Sequence, residues 1–73
     1  MTVGQRAYLA IHDMADREHI TVTHECVNLG IDPSTIRSWK RGQSNPTSYP
    51  LQQMALNGFD VIYILTGERK NEV

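Results

Sequence analysis

Apolar residues recur along most of this chain at spacings of three and four, the period of a helix that buries one face. Ala7, Ala10, Ile11 and Met14 form the first such stripe, and Thr2 followed three residues later by Gln5 fits a capping box ahead of it. A first helix over residues 3–18 is predicted, with Asp13, Asp16, Arg17 and Glu18 turned to water. The acidic residues near its end oppose the helix dipole, so that end is expected to fray. Val22, Cys26 and Leu29 then mark a short second helix, capped by Thr21 or Thr23 and stopped by Gly30. Asp32-Pro33 is a strong restart, because aspartate satisfies free amides at the N-cap and proline at the first helical position gives up no bonded N–H. The third helix carries Ile36 and Trp39 on one face and ends at Gly42.

Beyond it, Gln43–Thr47 reads as a polar loop around Asn45-Pro46. A fourth helix is expected from residues 48–50, burying Leu51, Met54 and Ala55 and stopping at Asn57-Gly58. The run Val61–Leu65 has high strand propensity, but a lone strand would lack a partner. Asp60 and Gly67 bracket residues 61–66 as caps, so this segment is expected to be a fifth helix. If Val61, Ile64 and Leu65 pack inward, Ile62 points outward beside Tyr63. Two readings of Ile62 stand side by side: an isolated exposed apolar residue, or a twofold contact between copies of the chain. The pattern as a whole predicts an all-α, five-helix domain over residues 1–67 and a flexible charged tail over 68–73.

With 73 residues there is room for one small domain, and 40% apolar with 21% charged residues suits a folded globule. A barrel enzyme or a two-domain nucleotide site is excluded by size. Seven basic and eight acidic residues give a net charge of −1, which excludes a uniformly basic nucleic-acid binder but not a local basic patch. Residues 32–46 hold such a patch: Arg37, Lys40 and Arg41 against the single anion Asp32. The lone cysteine, Cys26, permits no internal disulfide and no CxxC knuckle, which points to a reduced, cytoplasmic setting. The apolar runs Ala7–Ile11 and Val61–Leu65 are too short for an export signal or a membrane span, so no membrane association is expected. His12, His19, His24 and Cys26 match no common zinc spacing, and no metal or other cofactor is expected. Neither a Ser/His/Asp arrangement nor a glycine-rich phosphate loop is present, so the chain is not expected to be an enzyme or to take a small-molecule substrate.

With Ile36 and Trp39 turned inward, Ser34, Arg37, Ser38 and Arg41 occupy the opposite face of the third helix, with Thr35 and Lys40 at its edges. Short hydroxyls permit close approach to a major groove, and arginine can fork onto guanine O6 and N7. Gln43, Ser44 and Asn45 are placed to hold phosphates without reading sequence. The plain alternative is a solvated helix face ending in cations that suit its dipole. Two short helices joined through a glycine, followed by a polar loop, favour the nucleic-acid reading.

The stretch Cys26-Val-Asn-Leu-Gly-Ile-Asp-Pro-Ser-Thr-Ile-Arg-Ser-Trp-Lys-Arg-Gly42 resembles the helix-turn-helix of the lambda-repressor-like (XRE-type) DNA-binding family. Ala55-Leu-Asn-Gly-Phe-Asp-Val-Ile-Tyr-Ile-Leu-Thr-Gly-Glu68 resembles the segment that closes this domain in phage CI-type repressors. The resemblance implies a five-helix lambda-repressor-like fold with helices 2 and 3 as the helix-turn-helix. It assigns base reading to Ser34, Thr35, Arg37 and Ser38, and phosphate contacts to Thr23, Lys40, Arg41 and the loop after Gly42. It further implies a transcriptional regulator, a phage or prophage repressor, bound to a palindromic operator as a homodimer with Ile62 and Tyr63 at the interface. The alternative on the same fold is a protein-interaction module: an antitoxin, antirepressor or assembly partner. Three positions depart from the family pattern. Val22 stands where many members carry a polar residue, and Pro33 replaces what is often a polar, base-reading side chain. Glu25 stands at a usually apolar position, which implies either a rotated second helix or Val27 as its substitute.

Overall fold

In a computed structural model residues 1–69 are described, and these form five helices and no strand: α1 (Val3–Glu18), α2 (Val22–Leu29), α3 (Pro33–Lys40), α4 (Ser48–Leu56) and α5 (Val61–Thr66). The starts follow the local chemistry of the sequence. Thr2 Oγ1 accepts from the Gln5 amide at 3.1 Å while Gln5 Oε1 accepts from the Thr2 amide at 2.9 Å, closing the capping box. Of the two threonines that could cap α2, Thr21 does so, accepting from the His24 amide at 3.0 Å. Asp32 caps α3, with Pro33 in the first turn. Asp60 caps α5 through the Tyr63 amide at 3.0 Å.

The end of α1, expected to fray, closes instead on His19 in the left-handed region at φ 58°, with the Ile20 amide returning to the Ala15 carbonyl at 3.0 Å. Gly30 takes the same conformation at φ 71° to end α2, where a side chain would be strained. Only Gly30, Ile31 and Asp32 then separate α2 from α3.

α1 is the central element, packing against α2, α3 and α5, while α4 closes the bundle against α2 and α5. The core is Ala7 and Ile11 from α1, Cys26 and Leu29 from α2, Ile36 and Trp39 from α3, Met54 from α4 and Ile64 from α5, with Ile31 and Phe59 from the connections. Three expectations for inward-facing residues are corrected. Ala55 is exposed, while Met54 is buried and Leu51, half-buried, packs against the core as expected. In α5 the inward direction runs through Ile64, with Val61 half-buried and packed against the core as expected; at about 100° per residue Leu65 swings away from it and is 46% exposed. Val27 does not stand in for Glu25: Val27 is 66% exposed, and Glu25 itself is buried.

Of the tail expected over 68–73, Glu68 and Arg69 fold against α5. The Glu68 amide donates to Thr66 Oγ1 at 3.1 Å, and the Arg69 guanidinium lies 4.2 Å from the Tyr63 ring centroid. Residues 70–73 lie outside the described residues.

Candidate nucleic-acid interface

Ile36 and Trp39, three residues apart, sink one side of α3 into the core against α1 and fix the rotation of the helix. Ser34, Arg37, Lys40 and Arg41 are exposed on the rest of its surface, and Thr35 and Ser38 are half-buried at the boundary. Ser38 was expected on the bare face with Arg37. It is partly covered because the loop that follows folds back over it, and the Ser44 hydroxyl donates to Ser38 Oγ at 2.7 Å.

Charge on this surface is unevenly committed. Arg6 donates to the carbonyls of Ile64 (2.8 Å), Leu65 (3.3 Å) and Met1 (3.0 Å); Arg17 pairs with Asp13 at 3.4 Å and Arg69 with Asp60 at 3.8 Å. Among the described residues Arg37 and Arg41 make no ion pair and no side-chain hydrogen bond. Lys40 rests its ammonium 5.5 Å from the Tyr8 ring centroid and makes no ion pair. The uncommitted cations of the described chain therefore lie together on α3 and its C-cap.

The one anion beside them is Asp32. Its Oδ1 accepts from the Ser34 amide and the Ser34 hydroxyl, each at 2.9 Å. The amide bond first, then the hydroxyl bond, and more weakly the Arg37 charge hold this carboxyl below its ordinary range. Asp32 thus stays ionised as a cap, and Ser34 keeps its oxygen lone pairs, not its proton, for any partner.

The loop after α3 is fastened at both ends. The Gln43 amide donates to the Ser38 carbonyl at 3.0 Å, and Asn45 Oδ1 accepts from the Gly4 amide in the first turn of α1 at 2.9 Å. Gln43 and the Asn45 amide group remain available for an outside acceptor; the Ser44 hydroxyl is half-buried on Ser38. Thr23 is exposed in the first turn of α2. Arg37, Arg41, Lys40 and Gln43 are accordingly brought to one side of the molecule by α3 and its loop.

At the other proposed contact, Ile62 is 54% exposed, whereas the ring of Tyr63 is half-buried under Arg69. Leu65, three residues on from Ile62, extends the exposed apolar strip of α5. The sequence reading gave Arg6 no role. Its position beside the α1 stripe was visible, but the carbonyls it reaches are 58 and 59 residues away, so only the fold identifies it.

Among the described residues no three His, Cys, Asp or Glu side chains are grouped so as to hold a metal ion. His12 faces Asp16 at 3.4 Å on the surface of α1. No described helix is long and apolar enough to cross a membrane. No protein-family model matches the chain, and neither do any curated protein or any solved structure.

Proposed function

We propose that this domain binds double-stranded DNA in a sequence-specific manner through the outer face of α3, as a lambda-repressor-like helix-turn-helix regulator that acts by occupying promoter DNA, a phage or prophage repressor. The observation that carries the reading is the concentration of uncommitted cations on one short, rigidly anchored helix. A helix with its side chains is about 10–12 Å across, which the roughly 12 Å wide major groove admits. Arg37, in mid-helix, is the base-reading residue, able to fork onto a guanine. Arg41, Lys40 and Gln43 flank it as phosphate contacts, which set orientation without carrying sequence information. Ile62, with Leu65 beside it, is the contact of a symmetric dimer, which would set two α3 helices about 34 Å apart on a palindromic site.

Selection of bound duplexes from a random pool tests this. Recovery of a palindrome with half-sites about one helical turn apart supports both the DNA reading and the dimer. Recovery of no enriched sequence rejects sequence-specific binding. A second reading, a protein-interaction module on the same fold, is favoured by the exposed Ile62 and Leu65 and by the engagement of the Ser34 and Ser38 hydroxyls within the protein. Salt separates the two: phosphate binding weakens steeply as salt rises, and an apolar protein interface does not.

A further inference from the structure

Gly4 and Tyr8 lie one turn apart on the side of α1 that meets α3. Glycine at position 4 lets the two helices come close, since a Cβ there would stand 3.2 Å from Trp39 Cα. After Trp39 the next residue of α3 is Lys40, and one turn after Gly4 comes Tyr8. The close approach thus sets a cation of α3 beside an aromatic ring of α1, with the Lys40 ammonium 5.5 Å from the Tyr8 ring centroid. Within about 6 Å the electron-rich face of a ring attracts such a charge. Tyr8 is half-buried and packs against the core, so its ring is a fixed support, whereas Lys40 is exposed to solvent.

We propose that Tyr8 is a positioning residue for the phosphate contact of Lys40, a role that rests on the duplex-binding reading of α3. The ring holds the ammonium at the edge of α3 before the duplex arrives, so that less of the side chain's freedom is lost on binding. Tyr8 touches no nucleotide in this role; it acts through Lys40.

The chemistry of the support suits the task. Lysine carries its charge on a flexible four-carbon stem, and ordering such a stem at an interface has an entropic cost. A carboxylate would also order it, but would cancel the charge and occupy its protons, as Asp13 does for Arg17 at 3.4 Å. A ring face leaves the charge uncancelled, and the ammonium protons on its far side stay free for a phosphate oxygen. Lys40 alone of the three α3 cations has such a support, since among the described residues Arg37 and Arg41 have no aromatic ring against them.

Two measurements test this. The first follows the Lys40 ε-methylene protons by nuclear magnetic resonance. Over a ring face they are shifted upfield, and in the free domain that shift should vanish in Tyr8→Leu and survive in Tyr8→Phe. In the wild type it should persist when a random-sequence duplex of about 20 base pairs is bound. The second is affinity for that duplex at about 50 mM salt. Tyr8→Leu should weaken binding about two- to tenfold per protomer, and Tyr8→Phe should leave it unchanged. In a Lys40→Ala background Tyr8→Leu should cause no further loss, a coupling that a purely structural role of Tyr8 in the core would not produce. A wild type that does not bind the duplex removes the DNA reading and this proposal with it. A wild type that binds, with Tyr8→Leu binding equally well or losing as much when Lys40 is absent, overturns the proposal alone. Lys40 protons at their ordinary position in the wild type, or returning to it on the duplex, also overturn it, and these readings stand even if Tyr8→Leu does not fold.

Discussion

Replacing Gly4 by alanine sets two effects of opposite sign against each other, and the geometry of the α1 start decides between them. Alanine favours a helix over glycine by about 1 kcal/mol, and Gly4 lies inside α1. The added Cβ, however, would overlap the Ser44 carbonyl oxygen and press on Trp39 Cα and Cβ, each at 3.2 Å. Neither neighbour can step aside: one is backbone of the loop after α3 and the other belongs to the largest buried side chain. Relief requires the first turn of α1 to withdraw, which breaks the 2.9 Å bond from the Gly4 amide to Asn45. Overpacking costs about 1–3 kcal/mol and the lost hydrogen bond about 0.5–1.5 kcal/mol. Set against the helix gain, a net loss of about 1–3 kcal/mol follows. For a domain of this size that lowers Tm by roughly 5–20 °C, read by far-ultraviolet circular dichroism and by urea unfolding. Asn45→Ala, which removes the bond without the overlap, should lose about 1 kcal/mol. A Gly4→Ala protein that melts at or above the wild-type temperature would refute the close approach of α1 to the α3 loop, and with it the fixed placement of Gln43 and Asn45.

Two further outcomes follow from the burial and charge of single groups. Cys26 is fully buried, and burial followed by the Glu25 charge raises its thiol, so a thiol reagent at neutral pH should label it slowly in the native protein and rapidly in denaturant; equal rates would show that α2 is not packed as described. Asp32 is held below its ordinary value by the Ser34 bonds, so its charge stabilises α3 above that value and the contribution is lost as pH falls through the lowered one. Asp32→Asn, which keeps a capping acceptor, should therefore melt below wild type at pH 7, with the difference shrinking under acid; a constant difference would show that the charge plays no part.

What could be read from the chain was what local chemistry decides. The capping box at Thr2 and Gln5, the Asp32-Pro33 restart and the Gly30 stop involve groups within four residues of one another, and α1 and α3 begin, and α2 ends, where those groups require. Ile36 and Trp39 fixed the inward side of α3 for the same reason, being the only large apolar residues on it. The choice of helix for residues 61–66 also rested on local caps, Asp60 and Gly67, and overrode the strand propensity of the apolar run. What escaped the sequence was set by contacts far apart in the chain. Nothing near Ser38 shows that Ser44 covers it, nothing near Arg6 shows that it closes the end of α5, and Leu65 differs from Ile64 only by a rotation that packing selects. Glu25 was the informative failure. Its misfit with an apolar stripe was visible, and the two remedies considered were a turned helix or a substitute residue. The fold instead buries the acid where it stands.

The central claim, that the uncommitted cations of α3 meet phosphate and base edges, is tested most directly by the salt dependence of binding to the duplex recovered by selection, for wild type, Arg37→Ala and Arg41→Ala. Two phosphate-neutralising cations per protomer, Lys40 and Arg41, give a dimer a slope of about −3.6 in log K against log salt, a loss on the order of a hundredfold between 50 and 200 mM. Arg41→Ala should flatten that slope by about 2 units for the dimer on all sequences alike. Arg37→Ala should weaken the selected duplex by about 1–3 kcal/mol per guanine contact while narrowing its advantage over random DNA. Binding that is indifferent to salt and unchanged in both variants would contradict the account and move the functional surface away from α3.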